Sequence, residues 1–196
     1  MAYGFLRIDW TGKRVLVVGG GPVGLRKAKK CMELGAEVTL VSPTMAYDLE
    51  GLFRLHRREV EKRDVEGMFL VIAATNVKNV NEEIASWCLE KEILVNVADD
   101  RELGDVHLVK ELDAGGVQVG LSTAHGIPFA LRPIGEDVRK ALLPWSHGRM
   151  ELLAKIRQEM IEQGLSEEDK RRIYAILLSL GEEGLESFSL AEELEK

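Results

Sequence analysis

The sequence predicts a doubly wound α/β domain followed by a helical C-terminal part. Between residues 14 and 97, short runs of β-branched residues alternate with segments of helical periodicity, which is typical of a parallel sheet with crossover helices. These runs are continuously apolar rather than alternating, so we expect both faces of the sheet to be covered. From residue 134 onward, apolar residues recur at helical spacing, which predicts an all-helical end of the chain.

Each element of the first part has its own local signal. Strong strands are predicted at 14–18, 37–41, 68–73 and 93–97, a weaker strand at 55–60, and helices at 27–34 and 79–91. Gly35 is a natural stop signal for the first helix. Val80 and Ile84 lie on one apolar face of the second helix.

The pattern changes after Asp99. Residues 99–116 are charged and turn-rich, whereas 117–121 alternate and predict a strand outside the main sheet. A helix is expected to begin at or just before Pro133 and to end at Pro144, because proline fits a helix start but not a helix interior.

The C-terminal tail carries three helical segments. The first ends at Gly164, and the second begins with a capping-box-like spacing at Ser166 and ends at Gly181. A last short helix contains Leu190 and Leu194. Apolar stripes of this kind most often pack against the rest of the chain or a partner subunit.

The composition is that of a globular protein. The chain has 196 residues, of which 45 % are apolar and 30 % are charged, and this excludes a disordered chain. It carries 33 acidic and 26 basic residues, so its formal net charge is −7. This charge argues against a nucleic-acid partner, because such binding depends on neutralising phosphates.

No signal for a membrane or for export is present. The longest stretch without a formal charge, 114–131, holds glycines and polar residues and does not predict a membrane span. The first ten residues lack the basic-then-apolar order of a signal peptide. Cys31 and Cys88 are far apart and lie on apolar-periodic segments, which favours buried, reduced thiols. We therefore expect a cytoplasmic protein.

A glycine-rich loop follows the first strand. Gly19, Gly21 and Gly24 fit G-x-G-x-x-G between a strand and a helix, the context that a dinucleotide-binding loop requires. Pro22 suits the first helical position, and the helix N-terminus attracts phosphate groups. We predict cofactor contacts from these residues and Val23; a glycine-rich turn without a ligand is the alternative.

The second strand ends unusually for such a fold. An acidic residue commonly binds the ribose hydroxyls there, but this strand ends in Ser42, Pro43 and Thr44. Ser42 or Thr44 can make that contact more weakly. No arginine stands at this strand end to neutralise an additional phosphate, so we predict NAD rather than NADP.

Small residues follow the third strong strand. Ala74, Thr75 and Asn76 stand where a cofactor passes over the sheet, so they are predicted to contact it, the last two through ribose or carboxamide hydrogen bonds. The alternative is a turn that caps the helix beginning near Val80, and the two roles are compatible.

Four blocks follow one another along the chain: VLVVGGGPVGLRKAKKCMELGAEVTLVSP, VIAATNVKNVNEEIA, VNVADD and GLSTAHGIPFALR. Together, in this order, they resemble the precorrin-2 dehydrogenase family of siroheme synthesis. The resemblance covers about residues 5–145 and, more loosely, the helical tail. It implies an NAD-binding Rossmann domain at 1–112, a dimerisation segment at 113–144 and a small helical domain at 145–196. It also implies an intertwined homodimer with the active site between domains.

The implied activity is oxidation of precorrin-2 to sirohydrochlorin with NAD as hydride acceptor. Some members of the family also insert ferrous iron to give siroheme, and the sequence does not separate the two cases. A non-enzymatic alternative is a regulatory module that senses NAD. An acid/base carboxylate beside the nicotinamide distinguishes the enzyme from the sensor.

The resemblance implies that Asp99 is that acid/base group. Loss of a hydride from a tetrapyrrole carbon also requires loss of a proton, which a carboxylate at the end of a parallel strand can accept. Turn formation or helix capping by Asp99 is the alternative. Asp100 competes for the role, but adjacent residues of an extended chain point oppositely, so only one is expected to face the cofactor.

The last block departs from the family pattern Ser-Ser/Thr-Gly-Gly-x-Ser-Pro. Ala124 and His125 replace glycines and Ile127 replaces serine, so the loop is bulkier and less free at positive φ. Ser122 and Thr123 are the predicted substrate contacts that remain.

His125 and Arg132 complete the predicted substrate site. His125 is open to four roles: binding a substrate carboxylate, shuttling a proton, ligating iron, or lying on the surface as a loop histidine. The net acidic chain must gather local positive charge for a substrate with many carboxylates. The candidates are Arg132, Arg101, Arg139 and Lys140. The four histidines are scattered, so no metal site is predicted.

Overall fold

A computed structural model of the chain describes residues 4–46, 51, 53–124 and 126–195. The chain divides into two compact units, Met1–Leu108 and Val109–Lys196. The division into three segments at 1–112, 113–144 and 145–196, which the resemblance implies, stays a prediction. No helix among the described residues is long and apolar enough to cross a membrane.

The first unit is built on a five-stranded sheet. Its elements are β1 (Arg14–Gly20), α1 (Pro22–Glu33), β2 (Glu37–Met45), β3 (Arg54–His56), β4 (Leu70–Ala73), α2 (Lys78–Glu90) and β5 (Leu94–Val97), with a 3₁₀ turn at Lys62–Val65. The strand order is β3-β2-β1-β4-β5, and every pairing is parallel. The predicted doubly wound α/β fold is confirmed.

The sheet separates two apolar layers, which explains the continuous apolar runs. Successive side chains of β1 point to opposite faces, so Leu16 and Val18 pack in the layer that contains α2. Val15 and Val17 pack in the layer that contains α1. All four are buried, and burial of each such side chain contributes about 1.5–3 kcal/mol.

The first helix begins at Pro22, the residue predicted to suit the first helical position, and the helical pattern of 27–34 is its later part. Two strands of this unit differ from the prediction. Strand β2 continues to Met45 rather than 41, past a register shift against β1. The weak strand predicted at 55–60 is only Arg54–His56, on the sheet edge.

Both cysteines lie in these layers, Cys31 on α1 and Cys88 on α2, and both are fully buried. Burial, with a smaller contribution from Asp105, raises the pKa of the Cys88 thiol to about 12. Because the thiolate is the reactive form, we expect thiol reagents to label native protein at least about 100-fold more slowly than urea-unfolded protein. The absorbance of the coloured thiolate that a disulfide reagent releases measures the labelling rates of the native and the unfolded protein. Rapid labelling of the native chain would contradict the burial of these thiols.

The second unit begins with an antiparallel hairpin. Strands β6 (Lys110–Ala114) and β7 (Val117–Leu121) pair in a separate two-stranded sheet. This confirms the predicted strand at 117–121 outside the main sheet. Its partner β6 lies within the segment predicted as turns. Leu112 alone among the β6 side chains is buried, so the strand has almost no apolar pattern.

A 3₁₀ turn at Pro128–Ala130 leads into α3 (Leu131–Leu142). Pro133 is the third residue of α3, where the missing N–H would have had no intrahelical acceptor. Gly135 faces the hairpin, and a Cβ there would lie 3.3 Å from a methyl carbon of Leu112. The hairpin and α3 therefore pack closely within this unit.

The tail forms a small helical cluster. It consists of α4 (His147–Glu162), α5 (Glu167–Ser179), α6 (Glu182–Glu186) and α7 (Leu190–Leu194). The Ser166 hydroxyl accepts from the backbone N–H of Asp169, as the cap spacing predicts. Helix α6 is absent from the prediction, because its five residues after Gly181 are too few to show a helical period. The core of the cluster consists of Ile156, Met160, Ile173, Leu177, Leu185 and Leu190.

Candidate active site

The predicted cofactor residues of the first unit meet at one edge of its sheet. Val18 of β1 is in register with Ala73 of β4, and Ala73 is in register with Val97 of β5. The backbone N–H of Ala98 donates to the Ala73 carbonyl at 2.9 Å, so the ladder continues into the loop after β5. The segments that follow these three strands therefore leave the sheet side by side, at its carboxyl edge.

The glycine loop is shaped by close backbone approaches. Gly19 has φ +115°, and a Cβ there would lie 2.3 Å from the Ala74 carbonyl oxygen. A Cβ on Gly24 would lie 2.1 Å from the Gly19 carbonyl oxygen, so α1 approaches the end of β1 as only glycine permits. A Cβ on Gly21, in contrast, meets no atom within 4 Å. The second glycine of the motif thus faces open space rather than protein.

The first turn of α1 presents unused donors beside this space. Gly21 is the N-cap and makes no side-chain cap, and Pro22 is the first helical residue. The first intrahelical bond runs from Leu25 N to the Gly21 carbonyl at 3.0 Å, so the N–H groups of Val23 and Gly24 have no intrahelical acceptor. No acidic residue lies in this turn. Open space, free donors and the helix dipole suit a pyrophosphate.

The three residues predicted at the end of β2 are not equivalent. Ser42 is only 5 % exposed, and its hydroxyl donates to the Thr44 carbonyl at 2.7 Å. Pro43 and Thr44 are exposed. The neighbouring edge strand β3 is followed by Arg58, whose guanidinium forms two hydrogen bonds to Asp64, at 2.6 and 2.7 Å. That arginine is already neutralised within its own loop.

Thr75 lies in a tight network rather than in a simple cap. Helix α2 has Val77 as its N-cap, without a side-chain cap, so Asn76 does not cap it and is exposed. The Thr75 hydroxyl instead accepts from the Val77 N–H and donates to Asn81 Oδ1 at 2.7 Å. The turn after β4 is thereby fixed to the first turn of α2.

The same network reaches the predicted acid/base group. Asp99 is exposed, and its Oδ1 accepts from Asn81 Nδ2 at 3.0 Å. The competing Asp100 turns into its own loop, where its Oδ1 accepts from the Glu102 N–H at 2.9 Å. The two carboxylates have different partners, as their adjacency in the chain predicts. Asn81 was missed from the sequence, although a buried polar residue inside an apolar helical stripe is a signal for it.

The sequence pattern also does not identify a second network of hydrogen bonds, which is centred on Asn96. Lys27 of α1 donates to Asn96 Oδ1 of β5 at 2.8 Å, and Asn96 Nδ2 donates to the Val106 carbonyl at 2.6 Å. Asn96 is 3 % exposed. Burial, and then the charge of Arg26, lowers the pKa of Lys27. The bonds connect α1, which begins at the glycine loop, to the segment that follows Asp99.

The predicted substrate residues belong to the second unit. Thr123 closes the turn after β7, since its hydroxyl accepts from the Ile127 N–H at 2.6 Å, whereas Ser122 is exposed. Arg132 is exposed on α3, 3.5 Å from a Glu136 carboxylate oxygen. His125 lies outside the described residues.

The altered loop keeps its glycine where one is required. Gly126 has φ +63°, while Ala124 does not take a positive φ. The expected loss of freedom at position 124 therefore carries no backbone strain. Among the residues that the structure describes, no three His, Cys, Asp or Glu side chains group in a way that could hold a metal ion.

We expect His107, in the segment after β5, to make the free energy of unfolding depend on pH. Burial, followed by the charges of Arg101 and Lys27, lowers its pKa below the ordinary 6.5. The unfolded chain therefore binds this proton more readily, and the stability present above pH 6.5 is lost as the pH falls through the lowered pKa. We expect the urea midpoint to fall between pH 8 and 5, and His107→Asn to reduce that fall. The exposed His56→Asn is the matched control; equal slopes for the two variants would contradict the assignment.

The fold and this carboxyl edge define a dinucleotide-binding protein of the Rossmann class. A family model described as "Putative NAD(P)-binding" matches residues 6–110, which confirms the predicted dinucleotide domain. The chain belongs to the precorrin-2 dehydrogenase family, a family of oxidoreductases, as its sequence blocks predict. It is 34 % identical over 142 residues to precorrin-2 dehydrogenase of Bacillus subtilis (strain 168), covering 70 % of this chain and 87 % of that protein.

Two further relatives extend the comparison. Siroheme synthase of Photorhabdus laumondii is 33 % identical over 172 residues, covering 85 % of this chain. The match covers only 36 % of that longer protein. A solved structure titled SirC, precorrin-2 dehydrogenase, has the same fold, with a TM-score of 0.72 at 24 % identity; the match covers 98 % of this chain and 96 % of that one.

Proposed function

We propose that this protein oxidises precorrin-2 to sirohydrochlorin with NAD as the hydride acceptor. The family membership supports the substrate. The observation that carries the chemistry is the position of Asp99, an exposed carboxylate that follows β5 at the same sheet edge as the glycine loop. An acid/base group and a dinucleotide-binding loop at one edge are what this reaction requires.

The residues present fit a dinucleotide. The open space over Gly21 and the N–H groups of Val23 and Gly24 accommodate the pyrophosphate. Thr44, with Pro43, borders the ribose position at the end of β2, and Ala74, Thr75 and Asn76 border the path over β4. When bound, the oxidised nicotinamide ring accepts a hydride from the substrate.

Asp99 completes the balance of that reaction. Precorrin-2 loses one hydrogen with its bonding electron pair and a second hydrogen as a proton. The electron pair left by the proton forms the new double bond of sirohydrochlorin. The Asp99 carboxylate accepts the proton and, because it is exposed, passes it to solvent.

Substrate carboxylates require cations and hydroxyl donors, which the second unit supplies. Ser122 and Arg132 are exposed there, and the Arg132 ion pair with Glu136 is long enough for a carboxylate to displace it. The Thr123 hydroxyl accepts from the Ile127 N–H within the loop and can still donate its own hydrogen to a substrate carboxylate. We assign His125 to the same group on the strength of its position in the loop block.

The direct test is anaerobic incubation of the purified protein with precorrin-2 and NAD. We expect the absorbance of sirohydrochlorin to appear together with reduced cofactor in a one-to-one ratio. A parallel reaction with NADP in place of NAD tests the preference for the cofactor without the additional phosphate. Absence of sirohydrochlorin from a folded, NAD-binding protein would refute the proposal.

A second candidate activity is iron insertion into sirohydrochlorin. It is favoured by the 33 % identity to a siroheme synthase over 172 residues. Ferrous iron is a substrate in that reaction, and a carboxylate such as Asp99 can accept the pyrrole protons that the metal displaces. Adding ferrous iron to the assay separates the cases, because siroheme and sirohydrochlorin absorb differently.

We also propose that the chain is a cytoplasmic homodimer. Phe129, Ile134 and Leu143, on and beside α3, are 84 %, 43 % and 76 % exposed, more apolar surface than a short helix normally leaves to water. Two reduced, buried cysteines suit a reducing compartment. Light scattering should give twice the chain mass at micromolar concentration, and Phe129→Asp should shift it toward the monomer; a monomeric parent protein would refute the dimer.

A further inference from the structure

We propose that Asn81 is a positioning residue, which holds the Asp99 carboxylate in the orientation that accepts the substrate proton. This inference rests on the proposed function, because it assigns Asn81 a role through Asp99. Asn81 lies in the first turn of α2, the helix that follows the turn after β4. Nothing in its sequence position alone points to catalysis.

The contacts of Asn81 are complete and buried. The side chain is 1 % exposed. Its Oδ1 accepts from the Thr75 N–H at 3.2 Å and from the Thr75 hydroxyl at 2.7 Å. Its Nδ2 donates to the Thr75 carbonyl at 3.1 Å and to Asp99 Oδ1 at 3.0 Å. Every hydrogen-bonding group of the amide therefore has a partner.

These partners allow only one orientation of the amide. Rotating it by 180° would place Oδ1 against the Thr75 carbonyl and the Asp99 carboxylate, which are both acceptors. The NH₂ group would then face the Thr75 N–H, a donor. A buried amide with so many mismatched contacts is costly, so the group facing Asp99 is always the donor.

The consequence for Asp99 is a fixed rotamer. An exposed carboxylate at a loop otherwise samples several staggered rotamers. The bond from a rigid, buried donor holds Oδ1, which leaves Oδ2 as the oxygen for proton transfer. Asp100, whose Oδ1 is bound within its own loop, has no such connection to α2. Asn81 thus selects one of two adjacent carboxylates.

The test compares Asn81→Asp and Asn81→Ser with Asn79→Asp, an exposed asparagine in the same helical turn. The aspartate variant removes the donor to Asp99, and the serine side chain is too short to reach it. We expect both to lower kcat about 10- to 100-fold, as loss of a positioning contact typically does. The Kd for NAD and the KM for precorrin-2 should stay within about twofold. Asn79→Asp should retain the parent kcat.

A double-mutant cycle separates positioning from a merely structural role. If Asn81 acts through Asp99, Asn81→Asp should lower kcat no further in the Asp99→Ala background. An additive loss, or a raised Kd for NAD at unchanged kcat, would overturn the proposal. An inactive parent protein would instead refute the proposed function.

A measurement on the Asp99→Ala variant covers the case in which the Asn81 variants do not fold. The side-chain amide protons of Asn81 should exchange slowly in the parent protein and at least about tenfold faster in Asp99→Ala, because a donor without its partner meets water. Equal exchange rates in the two proteins would show that the contact does not restrain the carboxylate.

Discussion

Asp99→Ala is expected to lower kcat for precorrin-2 oxidation about 100- to 10,000-fold, the range typical of a lost acid/base group. The Kd for NAD should remain within about twofold, because Asp99 follows β5 and is not part of the glycine loop. Stopped-flow absorbance and calorimetric titration measure the two quantities. The removed side chain is exposed, so the fold should tolerate its loss.

Two further variants make this result specific. Asp99→Asn preserves the shape and can still accept from Asn81, so a similar loss of kcat would assign the effect to the carboxylate itself. Asp100→Ala removes the neighbouring carboxylate and should change kcat less than about threefold. If Asp99→Ala retained full turnover, the assignment of Asp99 as the acid/base group would be refuted. If the parent bound NAD without any turnover, the sensing module would be the better account.

Gly24→Ala is expected to weaken NAD binding at least about tenfold, or about 1.4 kcal/mol, and to destabilise the fold by about 1–3 kcal/mol. The added methyl would lie 2.1 Å from the Gly19 carbonyl oxygen, so α1 must move away from β1. Gly21→Ala should instead weaken NAD binding with little loss of stability, because its Cβ meets no protein atom within 4 Å. Titration with NAD and urea unfolding distinguish the two effects.

Gly181→Ala is the matched control for the second variant. Gly181 is also a helix N-cap, at α6, and a Cβ there likewise meets no atom within 4 Å. The capping cost should therefore be about the same, roughly 1 kcal/mol or less, while NAD binding should not change. If Gly21→Ala and Gly181→Ala bound NAD equally well, the space over Gly21 would not be the phosphate site.

The sheet could be predicted from the sequence because burial on both faces leaves a direct trace in it. β1, β4 and β5 consist almost entirely of apolar residues. The glycine loop could be predicted for a related reason, since close backbone contacts at Gly19 and Gly24 exclude other residue types. The carboxyl edge then followed from topology, which brings the ends of these strands together.

The remaining features depend on contacts with other segments of the chain. β6 is a strand because it pairs with β7, and its sequence, KELDA, contains no β-branched residue. Asn81 and Asn96 are polar residues in buried elements; Asn81 bonds to Asp99, 18 residues away, and Asn96 bonds to Lys27, 69 residues away. Sequence patterning marks such residues as exceptions but does not identify the groups that satisfy them.

The bonds from Lys27 through Asn96 to Val106 connect two segments at the carboxyl edge of the sheet. They tie α1, which begins at the glycine loop, to the chain leaving β5, a strand that lies on the far side of β4 from β1. Because Asn96 is buried, a shift of Lys27 or Val106 by about an ångström would leave a polar atom of Asn96 without a hydrogen-bond partner and away from water. These bonds therefore fix the distance between α1 and the chain that leaves β5 when the first unit folds, before any ligand binds.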